Sequence, residues 1–197
     1  MLKIAVLVSG GGTNLQALID AQGRGEIPGG EIALVVASRP DAYALERAAK
    51  AGIERAVVRR KDFDDPAAFD HVLCETLRSH GIDLVVLAGF LSILGPEVLA
   101  EYERRIINVH PSLIPSFCGD GFYGLRVHEA ALARGVKVTG ATVHFVNEIT
   151  DGGEIILQKA VDILPGDTPE ALQKRVMTEA EWVLLPKAVA LFCAGEL

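Results

Sequence analysis

Cysteines are few in this sequence, and long apolar runs are absent. The 197 residues include only Cys74, Cys118 and Cys193, with no Cys-x-x-Cys spacing. An odd number of cysteines without paired spacing is typical of a reducing compartment and argues against a disulfide framework or a zinc knuckle. The longest apolar run, around 84–91, is broken at Gly89 and is far shorter than the roughly 20 residues of a membrane span.

Positive charge is also in short supply. Lys and Arg number 19 and Asp and Glu number 26, which leaves a net charge of −7. Because a surface of this sign does not attract nucleic acid or an anionic membrane, we expect neither as a partner, and an anionic ligand needs a local site. The first apolar run, 1–8, has no basic segment before it and no small-residue cleavage site after it. We therefore expect a cytoplasmic protein without a signal peptide.

What the chain does contain is enough apolar material for one core. Half of the residues are hydrophobic and 23% are charged, and the length suits one domain. Apolar runs predict strands at 3–8, 32–37, 56–58, 83–88, 105–110, 138–146 and 154–163. Helical spacing predicts helices at 13–23, 41–50, 66–80, 96–104, 124–134 and 169–193. We expect Pro186 to kink or break the last helix. The alternation predicts a single-domain, Rossmann-like, doubly wound α/β fold with a mostly parallel sheet.

A glycine-rich segment, 9–14, joins the first strand to the first helix. Glycines at such a junction leave backbone N–H groups free to converge on an anion, and the helix dipole adds favourable charge there. We expect Thr13 to cap the helix and, with Asn14, to donate side-chain hydrogen bonds. The segment is not a Walker loop and fits the G-x-G-x-x-G pattern poorly, so a phosphate monoester is the favoured ligand. A plain tight turn is the alternative interpretation.

Two polar pairs indicate a reactive site. Asn108 and His110 are two residues apart on a predicted strand, so both side chains project to one face, where an amide and an imidazole suit acyl transfer. Thr142 and His144 share a face in the same way, and Asp151 precedes two glycines that allow its carboxylate to be aimed at a cleft. The alternatives are hydrogen-bonded structural histidines and an ordinary turn at Asp151. No metal-ligand spacing links the histidines, so we expect no metal.

The segments 9–16, 87–90, 108–115 and 143–153 together resemble the phosphoribosylglycinamide formyltransferases of purine biosynthesis. The resemblance covers nearly the whole chain in order. It implies transfer of the formyl group of the co-substrate 10-formyltetrahydrofolate to the amine of glycinamide ribonucleotide. The products are formylglycinamide ribonucleotide and tetrahydrofolate, in the de novo synthesis of the purine nucleotide IMP.

The resemblance also implies roles for individual residues. The catalytic trio is Asn108, His110 and Asp151, and the supporting residues are Thr142 and His144. The substrate phosphate and ribose are assigned to Gly11, Gly12, Thr13, Asn14 and Glu181. The folate pterin is assigned to a slot made by Leu87, Phe90, Leu91, Ser92, Ile93, Leu94, Ile106 and Val146. The domain divides into a phosphate-binding half, about 1–105, and a catalytic and folate half, about 106–197, with a cis bond at Ile114–Pro115.

Three features depart from the family pattern. Ser92 stands where many relatives have arginine, the loop 117–123 is longer than in the better-known version, and Trp182 replaces the usual histidine after Glu181. Two other functions compete: a different user of 10-formyltetrahydrofolate, hydrolytic or acting on methionyl-tRNA, and a non-catalytic nucleotide-binding module. The length and acidity favour the formyltransferase over the first, and the trio favours it over the second. Either a monomer or a homodimer fits this sequence.

Overall fold

A computed structural model describes residues 1–197. Its seven strands are β1 (Leu2–Val8), β2 (Gly30–Ala37), β3 (Glu54–Val57), β4 (Leu84–Leu87), β5 (Ile106–His110), β6 (Val138–Phe145) and β7 (Ile155–Asp162). They form one sheet in the order β3-β2-β1-β4-β5-β6-β7. The strands from β3 to β5 in this order pair in parallel, and β6 and β7 are antiparallel to their neighbours. The predicted single α/β domain with a mostly parallel sheet is confirmed.

Seven α-helices flank the sheet: α1 (Thr13–Gly23), α2 (Ala44–Lys50), α3 (Pro66–Ser79), α4 (Pro96–Glu101), α5 (Leu125–Arg134), α6 (Pro169–Val176) and α7 (Trp182–Cys193). A 3-10 turn covers Arg60–Asp62. None of the helices combines the length and the apolarity that crossing a bilayer requires. The helix predicted at 96–104 ends earlier, at Glu101, and Arg104 adopts a positive φ of 54° that is incompatible with a continuing helix.

The predicted long terminal helix is interrupted, although not where we expected. Pro186 lies inside α7, and the irregularity is a π-helical turn, Met177–Glu181, that separates α6 from α7. Proline removes one backbone donor and crowds the preceding turn. Wider π turns are rare and occur mostly at functional sites. The predicted cis bond is present at Ile114–Pro115.

Alternation along the central strands builds a hydrophobic core on each face of the sheet. In β1, Ile4, Val6 and Val8 belong to one buried cluster, and Ala5 and Leu7 belong to the other. Strands that are covered on both faces must be apolar at every position, which is why the run was visible in the sequence. Helices α1 and α7 contribute to the first cluster, and α3 and α4 contribute to the second.

The strand order creates a crevice between β1 and β4. The chain moves from β1 towards β2 on one side, and β4 adds to the opposite edge of β1. In open α/β sheets, ligands bind at such a switch point, beyond the carboxyl ends of the strands. Here the two strand ends are held together, because the Ser9 N–H donates to the Gly89 carbonyl at 3.1 Å and the Leu91 N–H donates to the Ser9 hydroxyl at 2.9 Å.

Candidate active site

A cleft of about 340 Å³ opens beyond the carboxyl ends of β4 and β5. Four segments contribute to its lining, within 87–99, 108–111, 119–124 and 144–151. Leu87, Phe90, Leu94 and Val146 supply apolar surface, and the ends of β5 and β6 supply polar side chains. An apolar wall beside a polar cluster suits a flat ligand that reacts at one end.

Antiparallel pairing between β5 and β6 sets the centre of the polar cluster. Asn108 lies opposite His144 in the sheet, and His110 lies opposite Thr142. As a result, Nδ2 of Asn108 is 3.1 Å from Nε2 of His144. His144 Nδ1 is 2.7 Å from the carbonyl oxygen of Phe145, which can only accept. His144 therefore carries its proton on Nδ1 in the neutral form, and its Nε2 accepts from the amide of Asn108.

Asp151 reaches this cluster through a strained turn. Its own φ is 54°, a conformation that is uncommon for residues other than glycine. At Gly153 a Cβ atom would lie 1.7 Å from the carbonyl oxygen of Phe145, so only glycine fits there. The turn places Oδ2 of Asp151 3.4 Å from Nδ1 of His110, and Oδ1 of Asp151 3.4 Å from Nδ2 of Asn108. The three residues of the predicted trio thus lie together in the cleft.

The long loop after β5 holds both members of the His110–Asp151 pair. The carbonyl oxygen of Phe117 accepts a hydrogen bond from Nε2 of His110 at 2.9 Å, and the N–H of Gly119 donates to Oδ2 of Asp151 at 2.9 Å. Phe117 itself has a positive φ of 50°. Sequence reasoning did not identify Phe117 or Gly119, since backbone contacts of an irregular loop leave no residue-type signal.

Thr142 forms hydrogen bonds with the start of this loop and does not line the cleft. Its hydroxyl donates to the carbonyl of Ser112 at 2.7 Å and accepts from the N–H of Ile114 at 3.1 Å. Gln158 on β7 also donates to this hydroxyl, at 3.0 Å. The role of Thr142 is consequently to fix the start of the loop that contacts His110.

Burial and the neighbouring groups shift the pKa of His110 in opposite directions, and the same holds for the pKa of Asp151. Burial lowers the pKa of His110, although the Asp151 carboxylate and the carbonyl of Phe117 favour its protonated form. Burial alone would raise the pKa of Asp151, but the nearby imidazoles of His144 and His110 and the N–H of Gly119 together bring that pKa below its ordinary value of 3.8. At neutral pH the cleft therefore contains a carboxylate beside a neutral, protonatable imidazole.

A pH titration of His110 by NMR is expected to show the effect of burial and the effect of the Asp151 carboxylate on its pKa. In the unchanged protein the His110 pKa lies below its ordinary value of 6.5. In Asp151→Asn the pKa should fall further, because the carboxylate that favours the imidazolium is gone while the burial remains. His71 and His80, whose imidazoles lie outside the cleft beside Glu97 and Glu54, serve as internal controls, and their resonances should be the same in both proteins. A higher His110 pKa in the variant would contradict this electrostatic picture.

The glycine-rich segment forms the second part of the site. Gly12 is the N-cap of α1 with φ 69°, and no side chain caps this helix. The predicted cap at Thr13 is therefore wrong, since Thr13 is already the first helical residue. A Cβ atom at Gly12 would lie 2.6 Å from Cβ of Ala44, whereas the space around Gly11 is open. These two glycines leave the backbone at the start of α1 accessible to a ligand.

Arg47 on α2 stabilises this segment. Its Nε donates to the carbonyl of Gly11 at 2.7 Å, and its Nη1 donates to Oε1 of Gln16 at 3.0 Å. Sequence reasoning missed Arg47, because it is 36 residues from Gly11 along the chain and no motif surrounds it.

Gly12→Ala is expected to destabilise the fold by about 2 kcal/mol or more, because a side chain there combines a left-handed φ with overpacking against Ala44. Gly11→Ala is the matched control, and it should leave the free energy of unfolding nearly unchanged because nothing lies within 4 Å of its added Cβ. Urea denaturation of both variants measures the difference. Equal stabilities would show that α2 moves away without cost.

Glu181 meets the glycine-rich segment from the end of the π turn. Its Oε2 accepts a hydrogen bond from Nδ2 of Asn14 at 2.7 Å, and the residue is only 6% exposed. Burial raises the pKa of Glu181, and the bond from Asn14 offsets part of that effect. Trp182, the next residue, lines a separate shallow pocket with Thr13 and Arg47.

Most residues of the predicted pterin slot line the cleft. These are Leu87, Phe90, Leu91, Ser92, Ile93, Leu94 and Val146. Ile106 does not, since it is 1% exposed and packs in the core cluster that contains Leu87 and Leu94. Alternation places Ile106 on the same face of β5 as Asn108 and His110, but it stands at the start of the strand, away from the carboxyl end where the cleft opens, and is covered by the core cluster.

Comparison with known proteins agrees with this architecture. The formyl transferase family matches residues 2–189. Phosphoribosylglycinamide formyltransferase of Haemophilus influenzae is 43% identical over 197 residues, covering 100% of this chain and 90% of that protein. The crystal structure of glycinamide ribonucleotide transformylase 1 from Symbiobacterium toebii superposes with a TM-score of 0.93 at 45% identity, covering 99% of this chain and 89% of that chain.

The chain therefore belongs to the formyl transferase family. Within that family it groups with the phosphoribosylglycinamide formyltransferases, which it matches over its whole length. It is also 41% identical over 193 residues to the human trifunctional purine biosynthetic protein adenosine-3, but it spans only 18% of that protein. The similarity to the trifunctional protein is thus limited to one part of it.

Proposed function

We propose that Asn108, His110 and Asp151 carry out the formyl transfer of this enzyme. Phosphoribosylglycinamide formyltransferases move the formyl group of 10-formyltetrahydrofolate to the amine of glycinamide ribonucleotide, and this chain does the same. The observation that supports the assignment best is the meeting of the three side chains in one cleft, with both Asp151 oxygens engaged by the other two. The glycine-rich segment lies beside this cleft, linked to it through Ser9.

In the proposed reaction the substrate amine attacks the formyl carbon, and the carbonyl oxygen becomes an oxyanion. One N–H of Asn108 is used by His144, and the other makes only a long contact of 3.4 Å with Oδ1 of Asp151, so it can donate to that oxyanion instead. His110 assists the same developing charge from the imidazole, which Asp151 and the Phe117 carbonyl keep oriented. A preorganised donor of this kind contributes a hundredfold or more to the rate.

Asp151 has a second proposed task, the movement of one proton. When the new C–N bond forms, the amine nitrogen loses a proton, and when the old C–N bond breaks, the leaving nitrogen of the folate gains one. A carboxylate that is ionised at neutral pH can accept the first proton, directly or through water, and pass it on. The net reaction consumes no acid or base, so one carboxylate with one imidazole partner is sufficient.

The residues of the cleft suit the proposed folate donor. A pterin ring is flat, and it carries a hydrogen-bonding edge. Leu87, Phe90, Leu94 and Val146 offer apolar surface for its faces, and the turn at 147–151 offers backbone groups for its edge. The donor supplies the activated formyl group.

The ribonucleotide is assigned to the other side of the trio. The N–H groups at the start of α1 are proposed to bind its phosphate, which the net charge of −7 would otherwise repel. Glu181, held by Asn14, is proposed to accept hydrogen bonds from the ribose. This assignment corresponds to a phosphate-binding half at about 1–105, to which Glu181 adds one side chain from the catalytic half at about 106–197.

The compartment proposed for the enzyme is the cytoplasm. Cys74, Cys118 and Cys193 are all free thiols, and Cys118 and Cys193 are partly accessible. Such thiols persist unpaired in a reducing environment.

One assay tests the proposed function. Purified protein is incubated with glycinamide ribonucleotide and 10-formyltetrahydrofolate, and release of tetrahydrofolate is followed. We expect release that depends on the ribonucleotide. Release without the ribonucleotide would identify a hydrolase, and no folate turnover at all would identify a binding module.

A further inference from the structure

At the centre of the glycine-rich segment the carbonyl groups are paired and the N–H groups are not. The Gly10 carbonyl accepts from the N–H of Ala44 at 3.1 Å, and the Gly11 carbonyl accepts from Nε of Arg47 at 2.7 Å. In a trans peptide the carbonyl and the following N–H point in opposite directions. The N–H groups of Gly11 and Gly12 therefore point away from α2, and neither donates to a protein atom.

The Arg47 guanidinium is fixed by neutral groups and has no carboxylate partner. Besides the Gly11 carbonyl, it donates to Oε1 of Gln16 at 3.0 Å, and its central carbon lies 5.1 Å from the ring centroid of Tyr43. No ion pair of the chain includes it. The carboxylate of Asp20 accepts from Nε2 of Gln16 at 2.8 Å, so the glutamine amide bridges the two charged groups. Arg47 therefore keeps an unneutralised positive charge beside the glycine-rich segment.

This charge lies in the shallow pocket at the start of α1. Arg47 and Thr13, the first residue of α1, line the same pocket of about 270 Å³. The other cation of the pocket, Arg24, is paired with Glu26 at 2.7 Å. A free guanidinium next to unpaired N–H groups favours an anion there, although the net charge of the chain is −7.

We propose that Arg47 is a positioning residue for the phosphate of the ribonucleotide. The inference rests on the proposed function. By binding the Gly11 carbonyl, Arg47 fixes the peptide plane that presents the Gly12 N–H to the phosphate. Glycine on both sides of this peptide allows many other orientations, so without Arg47 the ordering cost falls on substrate binding. Arginine suits the position better than lysine, because its planar group holds the Gly11 carbonyl and Gln16 together.

Steady-state kinetics with two substrates tests the proposal. Arg47→Met should raise the KM for glycinamide ribonucleotide about tenfold or more, and leave kcat and the KM for 10-formyltetrahydrofolate within about twofold. The matching riboside, which has no phosphate, should react with the same kcat/KM in both proteins. An equal loss with the riboside and the ribonucleotide would overturn the proposal, because it would show a general structural defect.

Two further variants separate position from charge. Lys50→Met removes a positive charge from the same helix, where the Lys50 ammonium lies 5.8 Å from the ring centroid of Tyr43. Its KM for the ribonucleotide should stay within about twofold of the original value. Arg47→Lys keeps the charge but not the fork, and its KM should remain at least about threefold above the original. Full recovery in Arg47→Lys, or a loss in Lys50→Met equal to that of Arg47→Met, would overturn the positioning role.

Binding of inorganic phosphate reports on Arg47 without turnover. In an NMR titration, phosphate should shift the amide resonances of Gly11 and Gly12, and Arg47→Met should raise the phosphate Kd about tenfold. Ribonucleotide-dependent release with an unchanged phosphate Kd in Arg47→Met would overturn the inference and leave the proposed function standing. Weaker phosphate binding in Arg47→Met, without ribonucleotide-dependent release by the unchanged protein, would overturn the proposed function and support the phosphate-positioning role.

Discussion

Asp151→Asn is expected to lower kcat by about a hundredfold or more, with a small change in stability. The amide has almost the shape of the carboxylate, and its oxygen can still accept from the N–H of Gly119. What the substitution removes is the negative charge that pairs with His110 and the group that accepts the amine proton. Steady-state kinetics under saturating substrates measures the loss.

Glu148→Gln provides the matched control for Asp151→Asn. Glu148 is an exposed carboxylate that lines the same cleft three residues earlier, and it makes no hydrogen bond to the trio. Its replacement should leave kcat within about twofold of the original value, because an exposed charge that does not contact the trio has a small effect. A near-normal kcat in Asp151→Asn, or an equal loss in both variants, would refute a specific role for Asp151.

His110→Ala is expected to cause a loss of similar size, about a hundredfold or more in kcat. Removing the imidazole takes away the protonatable group beside the developing oxyanion and leaves Asp151 without its Nδ1 neighbour at 3.4 Å. The carbonyl of Phe117 also loses the bond from Nε2, so the loop after β5 should loosen. The kinetics are measured below the melting temperature of the variant, and circular dichroism determines that temperature.

The double variant distinguishes a working pair from two independent groups. If His110 and Asp151 act together, His110→Ala combined with Asp151→Asn should lose little more than either change alone. If the kcat loss of the double variant equals the product of the two single losses, each residue contributes separately. A kcat near the original value in either single variant would refute the role assigned to that residue. The double-mutant cycle therefore tests the coupling that the geometry suggests.

Much of the fold could be predicted from local patterns. Apolar runs located all seven strands, because strands packed on both faces, such as β1, tolerate few polar residues. The glycine-rich segment and the Asn108-x-His110 spacing pointed to the end of the sheet at which the cleft opens, since residues two apart on a strand share a face. The π turn before α7 was not foreseen, and Pro186, the visible signal, lies beyond it.

The sequence by itself determined which residue types were available for chemistry and on which strand faces they stand, because side-chain alternation is local. Only the tertiary structure decided which of them meet. The register of β6 against β5 places His144 opposite Asn108, and the turn ending at Gly153 delivers Asp151 to His110. Phe117, Gly119 and Arg47 complete the site through contacts that depend on how loops and helices close over the sheet. Such contacts join residues far apart in the chain, and pairing register and loop path have no local signature.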